Sequence, residues 1–434
     1  MSIRTGDYPH LVDGLAIRLA RDACHLRKLP QVDDVISLKG SSWAFLQELT
    51  GGQTVGQIAE TVAQGLGVDL ETIRQDLGEL LTELVRRELV QLSEVPVAAD
   101  RAALHVVAET IRSSVHMDLT HRCNEVCIHC LVPRDNRDIS FEAVRSIIEQ
   151  AAELGFVSLS FSGGEPTLHR HFWEILDLSA DFGFYVTLFT NGLLLDDENA
   201  ARLAAHQPDQ VRISLYSMDP AIHDKITTIP GSFEKTMACI QRLHAHGTSL
   251  YINCPVMTLN YEGWRDVAAF ADDHGMERNL DPVIQPTRDR TNFYKDLQLT
   301  YEQAKEITGF QQDADELIVN VVSGQPVCNA GDDPSIDASL NLYPCPGIRQ
   351  SLGNLKEKTL RELVVGNPEL QRIADLSLED LEMCQHCDVR DGCYRCHGHA
   401  FQETGDITKC SSMDRRQATI RRELMVERGT RDPR

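Results

Sequence analysis

Between residue 113 and about 310 the period of the hydrophobic pattern switches repeatedly. Short apolar, β-branched and aromatic runs at 115–119, 157–161, 185–189, 211–215, 250–256 and 280–284 read as strands. Between them, apolar residues recur at helical spacing over 141–154, 170–180, 196–205, 232–246 and 261–274. At least five strand–helix units and a sixth strand predict a parallel sheet covered by helices, because parallel neighbours need a crossover connection. Ligand chemistry in such sheets gathers in the loops after the strands.

Residues 1–95 carry a different pattern. Strand-like runs at 15–20 and 35–38 are punctuated by Gly14 and Pro30. Three helical stretches follow: 41–49, a second starting near Thr54 after Gly51 and Gly52, and a third over 69–87. In the third, Ile73, Leu77, Leu80 and Leu84, with Leu81 beside them, repeat near 3.6 and mark a buried face. Small strands with three helices predict a winged-helix-like module. Residues 96–112 read as a linker. Residues 311–434 are rich in cysteine and poor in long regular patterns, so they are expected to fold around metal.

Length and composition narrow the classes. A chain of 434 residues exceeds one compact core and implies two or three domains. A formal charge of -23 excludes a general grip on nucleic acid, which needs basic surface. No run approaches the roughly 18 uncharged apolar residues of a membrane span, and the first residues hold no apolar signal core. A cytoplasmic protein without membrane or nucleic-acid partners is expected. There, 13 cysteines read as metal or redox ligands rather than disulfides.

Cys123, Cys127 and Cys130 fall in the run MDLTHRCNEVCIHCLVP, directly after the first strand of the alternating region. They supply three thiolates where zinc sites and electron-transfer clusters take four protein ligands. The spacing suits a cubane with one iron left for a ligand that is not protein. A zinc site borrowing a later cysteine is the alternative, and His129 reads as a flank rather than a ligand. After the second strand comes Ser162-Gly163-Gly164-Glu165-Pro166, whose glycines allow close backbone approach and whose carboxylate can pair with an ammonium group.

Together these two motifs resemble the signature of the radical S-adenosylmethionine superfamily. The resemblance implies a partial (β/α)6 TIM-like barrel over 113–310, with Gly163, Gly164 and Glu165 receiving the methionyl amine. It implies a [4Fe–4S] cluster on Cys123, Cys127 and Cys130 as the catalytic centre. Reductive cleavage of S-adenosylmethionine there gives a 5'-deoxyadenosyl radical that abstracts hydrogen from an unactivated C–H bond. Asn191, in Thr190-Asn191-Gly192, and Ser214 match further cofactor-binding positions. The run from Ser214 to Phe233 is similar to peptide-modifying members, but Thr227 stands where sulfatase-maturing relatives carry a carboxylate-binding arginine. Arg212 or Arg288 is a substitute for that role. Tyr216 reads as packing, with a place in the cavity as the alternative, and Cys239 and Cys254 read as core.

The array Cys384-x2-Cys387-x5-Cys393-x2-Cys396, with Cys328, Cys345 and Cys410, resembles a SPASM domain carrying two auxiliary [4Fe–4S] clusters. That resemblance assigns Cys384, Cys387, Cys393 and Cys410 to an outer cluster and Cys328, Cys345 and Cys396 to an inner one, three clusters in all. Leu340 occupies the place of the usual glycine before Cys345, and the last interval of the array is one residue short. A zinc ribbon is the alternative. The N-terminal module is similar to the peptide chaperone of pyrroloquinoline-quinone biosynthesis, which recurs as a leader-recognition element. A leader would add as a strand to an edge near 35–38. A DNA-reading helix is disfavoured by Glu71, Asp76, Glu79 and Glu83 on the third helix.

The function these resemblances imply is a maturase that installs an oxidative intramolecular crosslink (C–C, C–O or thioether) in a ribosomally made precursor peptide. A flavodoxin or ferredoxin would reduce it. The alternatives are a peptide epimerase with Cys254 as hydrogen donor, a cofactor-precursor maturase, and a metal-containing peptide-binding protein without turnover.

Overall fold

The computed structural model describes residues 3–11, 15–20, 23–28, 36–39, 42–87, 89–97, 105–107, 114–133, 135–286, 292–312, 317, 327–328, 330–331 and 333–429. The chain forms two compact units. One comprises Met1–Ser113 with Ile148–Val157 and Leu178–Tyr185; the other comprises Ser114–Ile147, Ser158–Asp177 and Val186–Arg434.

In the first unit, β1 (Tyr8–Leu11) pairs antiparallel with β5 (Val90–Ser93). A second sheet has the order β4-β3-β2-β6, from β2 (Leu15–Ala20), β3 (Ala23–Lys28), β4 (Ile36–Lys39) and β6 (His105–Val107). Helices α1 (Ser42–Glu48), α2 (Val55–Leu66) and α3 (Leu70–Arg86) pack around Phe45, Leu49, Ile58, Leu77, Leu81 and Leu84. Thr54 and Gln57 close a capping box on α2, and Asp69 caps α3, satisfying amides that a helix start leaves open. On α3 it is Leu81, rather than Leu80, that is fully buried. Among the described residues β4 ends its sheet, as the reading of an edge near 35–38 expects; Gly14, Pro30 and Val35 lie outside the described residues.

In the second unit six parallel strands run in order: β7 (Ser114–Thr120), β8 (Ser158–Gly163), β9 (Tyr185–Thr190), β10 (Gln210–Ser214), β11 (Leu250–Pro255) and β12 (Glu277–Asp281). Their crossovers carry α4 (Phe141–Glu153), α5 (Phe172–Asp181), α6 (Asp197–Ala205), α7 (Pro220–Thr227), α8 (Ser232–Ala245) and α9 (Trp264–Asp273), of which the ends of α4 and α5, from Ile148 and Leu178 onward, are counted with the first unit. This is the expected partial (β/α)6 arrangement. Side chains alternate across it: Leu159, Phe161, Val211, Ile213 and Ile252 are buried, while Ser160, Ser162, Arg212, Ser214, Tyr251 and Asn253 occupy the other face.

Beyond β7 the sheet continues into β13 (Ser335–Ile336), β14 (Asn341–Tyr343) and β15 (Gly353–Asn354), with β13 parallel to β7 and the rest antiparallel. Helices α10 (Tyr301–Gln311), α11 (Leu360–Val364), α12 (Pro368–Asp375), α13 (Glu382–Gln385), α14 (His397–Thr404) and α15 (Ser412–Glu427) complete the unit.

Two expectations need correction. The sixth strand lies at Glu277–Asp281 rather than 280–284. As an edge strand it tolerates Glu277, Arg278 and Asn279, whereas Pro282 cannot donate to a ladder. The cysteine-rich region is also more regular than expected: α15 spans 16 residues and buries Met413, Ala418, Ile420, Leu424 and Met425 behind a strongly polar outer face.

Candidate active site

The cysteine loop is fastened on both sides by backbone. On one side, Gly164 donates to the Thr120 carbonyl at 2.7 Å and Glu165 to the Arg122 carbonyl at 2.8 Å. On the other, Val126 donates to Thr227 and Ile128 to Ile226, each at 3.0 Å, at the end of α7. A Cβ on Gly163, where φ is 119°, would stand 2.2 Å from the Thr120 oxygen; one on Gly164 would stand 2.1 Å from that of Arg122. The two motifs therefore interlock only because both residues are glycine. The Arg122 guanidinium forks onto Asp138 at 2.9 and 2.7 Å and reaches the Leu168 carbonyl at 2.8 Å, and His121 Nδ1 pairs with Asp135 at 2.6 Å. These flanking residues are clamps.

A cavity of about 450 Å³ opens at the carboxyl ends of the strands. Cys123, Cys127 and Cys130 line it together with Gly163, Gly164, Asn191 and Ser214, so seven of the eight expected centre and cofactor residues converge on it. Glu165 does not. It is fully buried, and its carboxylate accepts from the Thr167 amide and hydroxyl at 3.1 and 2.6 Å, the Thr190 hydroxyl at 2.8 Å and the Asn191 amide at 2.8 Å. Burial pushes its carboxyl up, against the pull of those four donors. In this geometry Glu165 ties the loop after β8 to the end of β9, and the glycines form the cavity wall.

Burial pushes the Cys123 thiol up to about 12 and that of Cys127 higher still. Metal must displace those protons, as iron does readily from converging thiols. Three thiols on one wall, beside glycines that admit a ligand's backbone-like atoms, fit a cluster with one open iron. No arginine or lysine lines the cavity among the described residues, so a bound carboxylate would meet hydroxyl and amide donors such as Ser214 and Asn253. Arg212 is stacked on Tyr251 at 4.3 Å and bonds Gln210 instead; Arg288 lies outside the described residues.

The sequence pattern gave no warning of Glu125, Phe189, Asn253, Asn279, Asp281 and Gln285, which also line the cavity. Tyr216, read as packing, lines it too, with its hydroxyl 3.9 Å from the Cys127 sulfur and the His129 ring edge-on to it. Cys254 belongs to the wall, but its thiol donates to the Tyr216 carbonyl at 3.7 Å, and Asn260 covers its sulfur at 3.8 Å. Cys239 is buried against Gly192, as core.

Burial is the largest cause that raises the Cys328, Cys345, Cys384, Cys393, Cys396 and Cys410 thiols. The Cys345 thiol is raised first by burial and then by Cys328 and Cys396. Cys393 is raised by burial and then by Asp414, Cys384 and Cys387, Cys384 by burial and then by Cys410 and Cys387, and Cys410 by burial and then by Cys387. Among the described residues no three or more His, Cys, Asp or Glu side chains are gathered as ligands of a single metal ion, at the triad or among the later cysteines. Leu340 takes φ of 68°, the left-handed conformation for which a glycine is the ordinary choice. It closes the β13–β14 turn that leads into Cys345.

The chain carries a radical S-adenosylmethionine domain and a PqqD-like module. Residues 117–271 match the model of the Radical SAM superfamily, and residues 29–90 match that of Coenzyme PQQ synthesis protein D. The superfamily implies a [4Fe–4S] cluster and S-adenosylmethionine. The mycofactocin maturase MftC of Mycolicibacterium smegmatis is 29% identical over 44% of this chain and 49% of its own length. The PqqA peptide cyclase of Xanthomonas campestris pv. campestris is 33% identical over 38% of this chain and 45% of its own length. The chain thus spans about half the length of these curated relatives. Streptococcus suis SuiB bound to its precursor peptide SuiA shares the fold, with a TM-score of 0.63 at 15% identity over 91% of this chain and 97% of SuiB. No helix among the described residues is long and apolar enough to cross a membrane.

Proposed function

We propose that this chain is a radical S-adenosylmethionine maturase that installs an oxidative crosslink within a ribosomally made peptide. The observation that carries this reading is the convergence of Cys123, Cys127, Cys130, Gly163, Gly164, Asn191 and Ser214 on one cavity. With cluster and cofactor bound, the site supplies a 5'-deoxyadenosyl radical able to take hydrogen from an unactivated carbon. The chain's own residues do the rest. The three thiolates hold the cluster, the Gly163–Gly164 backbone and the Asn191 and Ser214 side chains orient the cofactor, and Tyr216, Leu131 and Ile284 keep water from the reacting carbon.

The cysteine sets Cys328, Cys345, Cys396 and Cys384, Cys387, Cys393, Cys410 would hold two further clusters, three in all. The PqqD-like module, with β4 at a sheet edge, would take the leader of the precursor as an added strand. A flavodoxin or ferredoxin would supply electrons. Crosslinking is favoured over epimerisation because the Cys254 thiol is committed to the Tyr216 carbonyl rather than free to donate hydrogen.

Anaerobic reconstitution tests the reading. About 12 irons per chain, 5'-deoxyadenosine formed on reduction, and its loss in Cys127→Ala are expected. The peptide encoded by a short reading frame beside the gene should lose about 2 Da on treatment, the mass of two hydrogens removed by oxidative ring closure. Bound zinc in place of iron, or an unchanged peptide mass with inversion at one residue, would sink the crosslinking assignment.

A further inference from the structure

Arg395 stands between Cys393 and Cys396 and is only 4% exposed. Its Nη2 donates to the Ile407 carbonyl at 2.6 Å, while Nε and Nη1 are buried without a hydrogen-bond partner. Among the described residues no carboxylate forms an ion pair with it. A guanidinium buried without counter-charge costs several kcal/mol, so such a residue implies an anion. The nearby groups that become anionic on loading are cluster ligands. The neighbours of Arg395 in the chain belong to both sets, Cys393 to the outer and Cys396 to the inner. The buried Asp414 carboxylate is engaged elsewhere, accepting from the Cys396 amide at 2.9 Å and pairing with His399 at 2.7 Å.

We propose that Arg395 is the shared counter-charge of the two auxiliary clusters, donating Nε–H and Nη1–H toward their sulfurs and holding both reduction potentials up. This rests on the reading of two auxiliary clusters given above. Its use follows from electron balance. When hydrogen leaves a substrate C–H for the deoxyadenosyl radical and the carbon then bonds to a neighbouring X–H group, one proton passes to water and one electron remains. An auxiliary cluster takes that electron in going from its oxidised to its reduced state. A fixed positive charge favours the more negative, reduced state, and hydrogen bonds to sulfur act in the same direction. Arg395 is thus a positioning and tuning residue, not a catalytic one.

Arg415 provides the contrast. It is exposed and touches only the outer set, with Nη1 3.7 Å from the Cys387 sulfur. In redox titrations of reconstituted full-length protein followed by electron paramagnetic resonance, Arg395→Gln should move both auxiliary midpoints to more negative values. The S-adenosylmethionine-binding cluster should stay unmoved, and Arg415→Gln should shift the outer midpoint alone. Arg395→Lys, which keeps the charge and loses the fork, should shift both by less. A wild-type protein with about 12 irons whose auxiliary midpoints ignore Arg395→Gln overturns this inference alone, whereas wild type with only about four irons overturns the auxiliary-cluster reading with it. If Arg395→Gln sheds the auxiliary irons, retention of them in Arg395→Lys supports the counter-charge, and equal loss from both variants refutes it.

Discussion

The side-chain amide of Asn191 donates to Asn124 Oδ1 at 2.7 Å, so the end of β9 grips the cysteine loop one residue after Cys123. The same amide nitrogen stands 3.8 Å from the Cys123 sulfur. Asn191 is held in turn, its carbonyl accepting from Thr236 and its Oδ1 from the Leu193 amide. Asn191→Ala and Asn124→Ala should each destabilise the protein, and a double-mutant cycle in urea should return a coupling of about 0.5–1.5 kcal/mol. A coupling near zero would mean that the bond does not hold the loop.

Gly164→Ala should be among the most damaging single-methyl additions in the chain. The clash is with the backbone oxygen of Arg122, which belongs to the cysteine loop and cannot rotate away. Overpacking of this kind costs about 1–3 kcal/mol before any loss of cofactor binding. Gly275→Ala is the control: its φ is 65°, but nothing lies within 4 Å of the added carbon. That variant should lose only about 1–2 kcal/mol, the penalty of a left-handed alanine. Equal melting temperatures for the two would contradict the interlock.

Asp224 fastens the loop between α7 and α8. Burial alone would raise its carboxyl, but the Phe233 and Gly231 amides and the Ser232 hydroxyl hold it below the usual range. A lowered folded pKa means stabilisation that is present above the unfolded value near 4 and lost as pH falls through the folded one. Asp224→Asn should therefore cost about 1–3 kcal/mol at neutral pH. The gap in urea midpoint between variant and wild type should close in acid; a gap that persists there would rule this account out.

Leu340 reverses an ordinary rule. A left-handed leucine costs about 1–2 kcal/mol, which burying its side chain, worth about 1.5–3 kcal/mol, offsets. Leu340→Ala keeps most of the strain and loses most of the burial, whereas Leu340→Gly loses the strain as well. Glycine should then be the more stable of the two by roughly 1 kcal/mol, opposite to its rank in regular structure. Thermal melts of the pair decide it.

These cases show what the sequence could and could not announce. The strand–helix rhythm and the Cys123-to-Cys130 spacing were legible because each follows from a period or from ligand geometry. The departure at Leu340 looked like a broken pattern, since a sequence names residues and not dihedral angles. Helix α7 escaped notice because Pro220–Thr227 is short and resembled a binding motif, though Pro220 and the Asp219 cap are ordinary helix-start signals. Helix α15 was hidden by its charge. Glu165 sat in the expected motif, yet only the structure shows Thr167, Thr190 and Asn191 using up its carboxylate. The isolation of Arg395 is likewise a tertiary fact: nothing in Cys-Tyr-Arg-Cys says that its guanidinium lacks an acid.

The alternating faces of β8, β10 and β11 divide labour between inheritance and innovation. Leu159, Phe161, Val211, Ile213 and Ile252 are fixed by the need to fold, but Ser160, Ser162, Ser214 and Asn253 carry little of that burden. Ser162, Ser214 and Asn253, which line the cavity, are left to serve whatever it holds, while the first group builds the walls. What such a barrel can hold is thus set by side chains other than those that keep it standing.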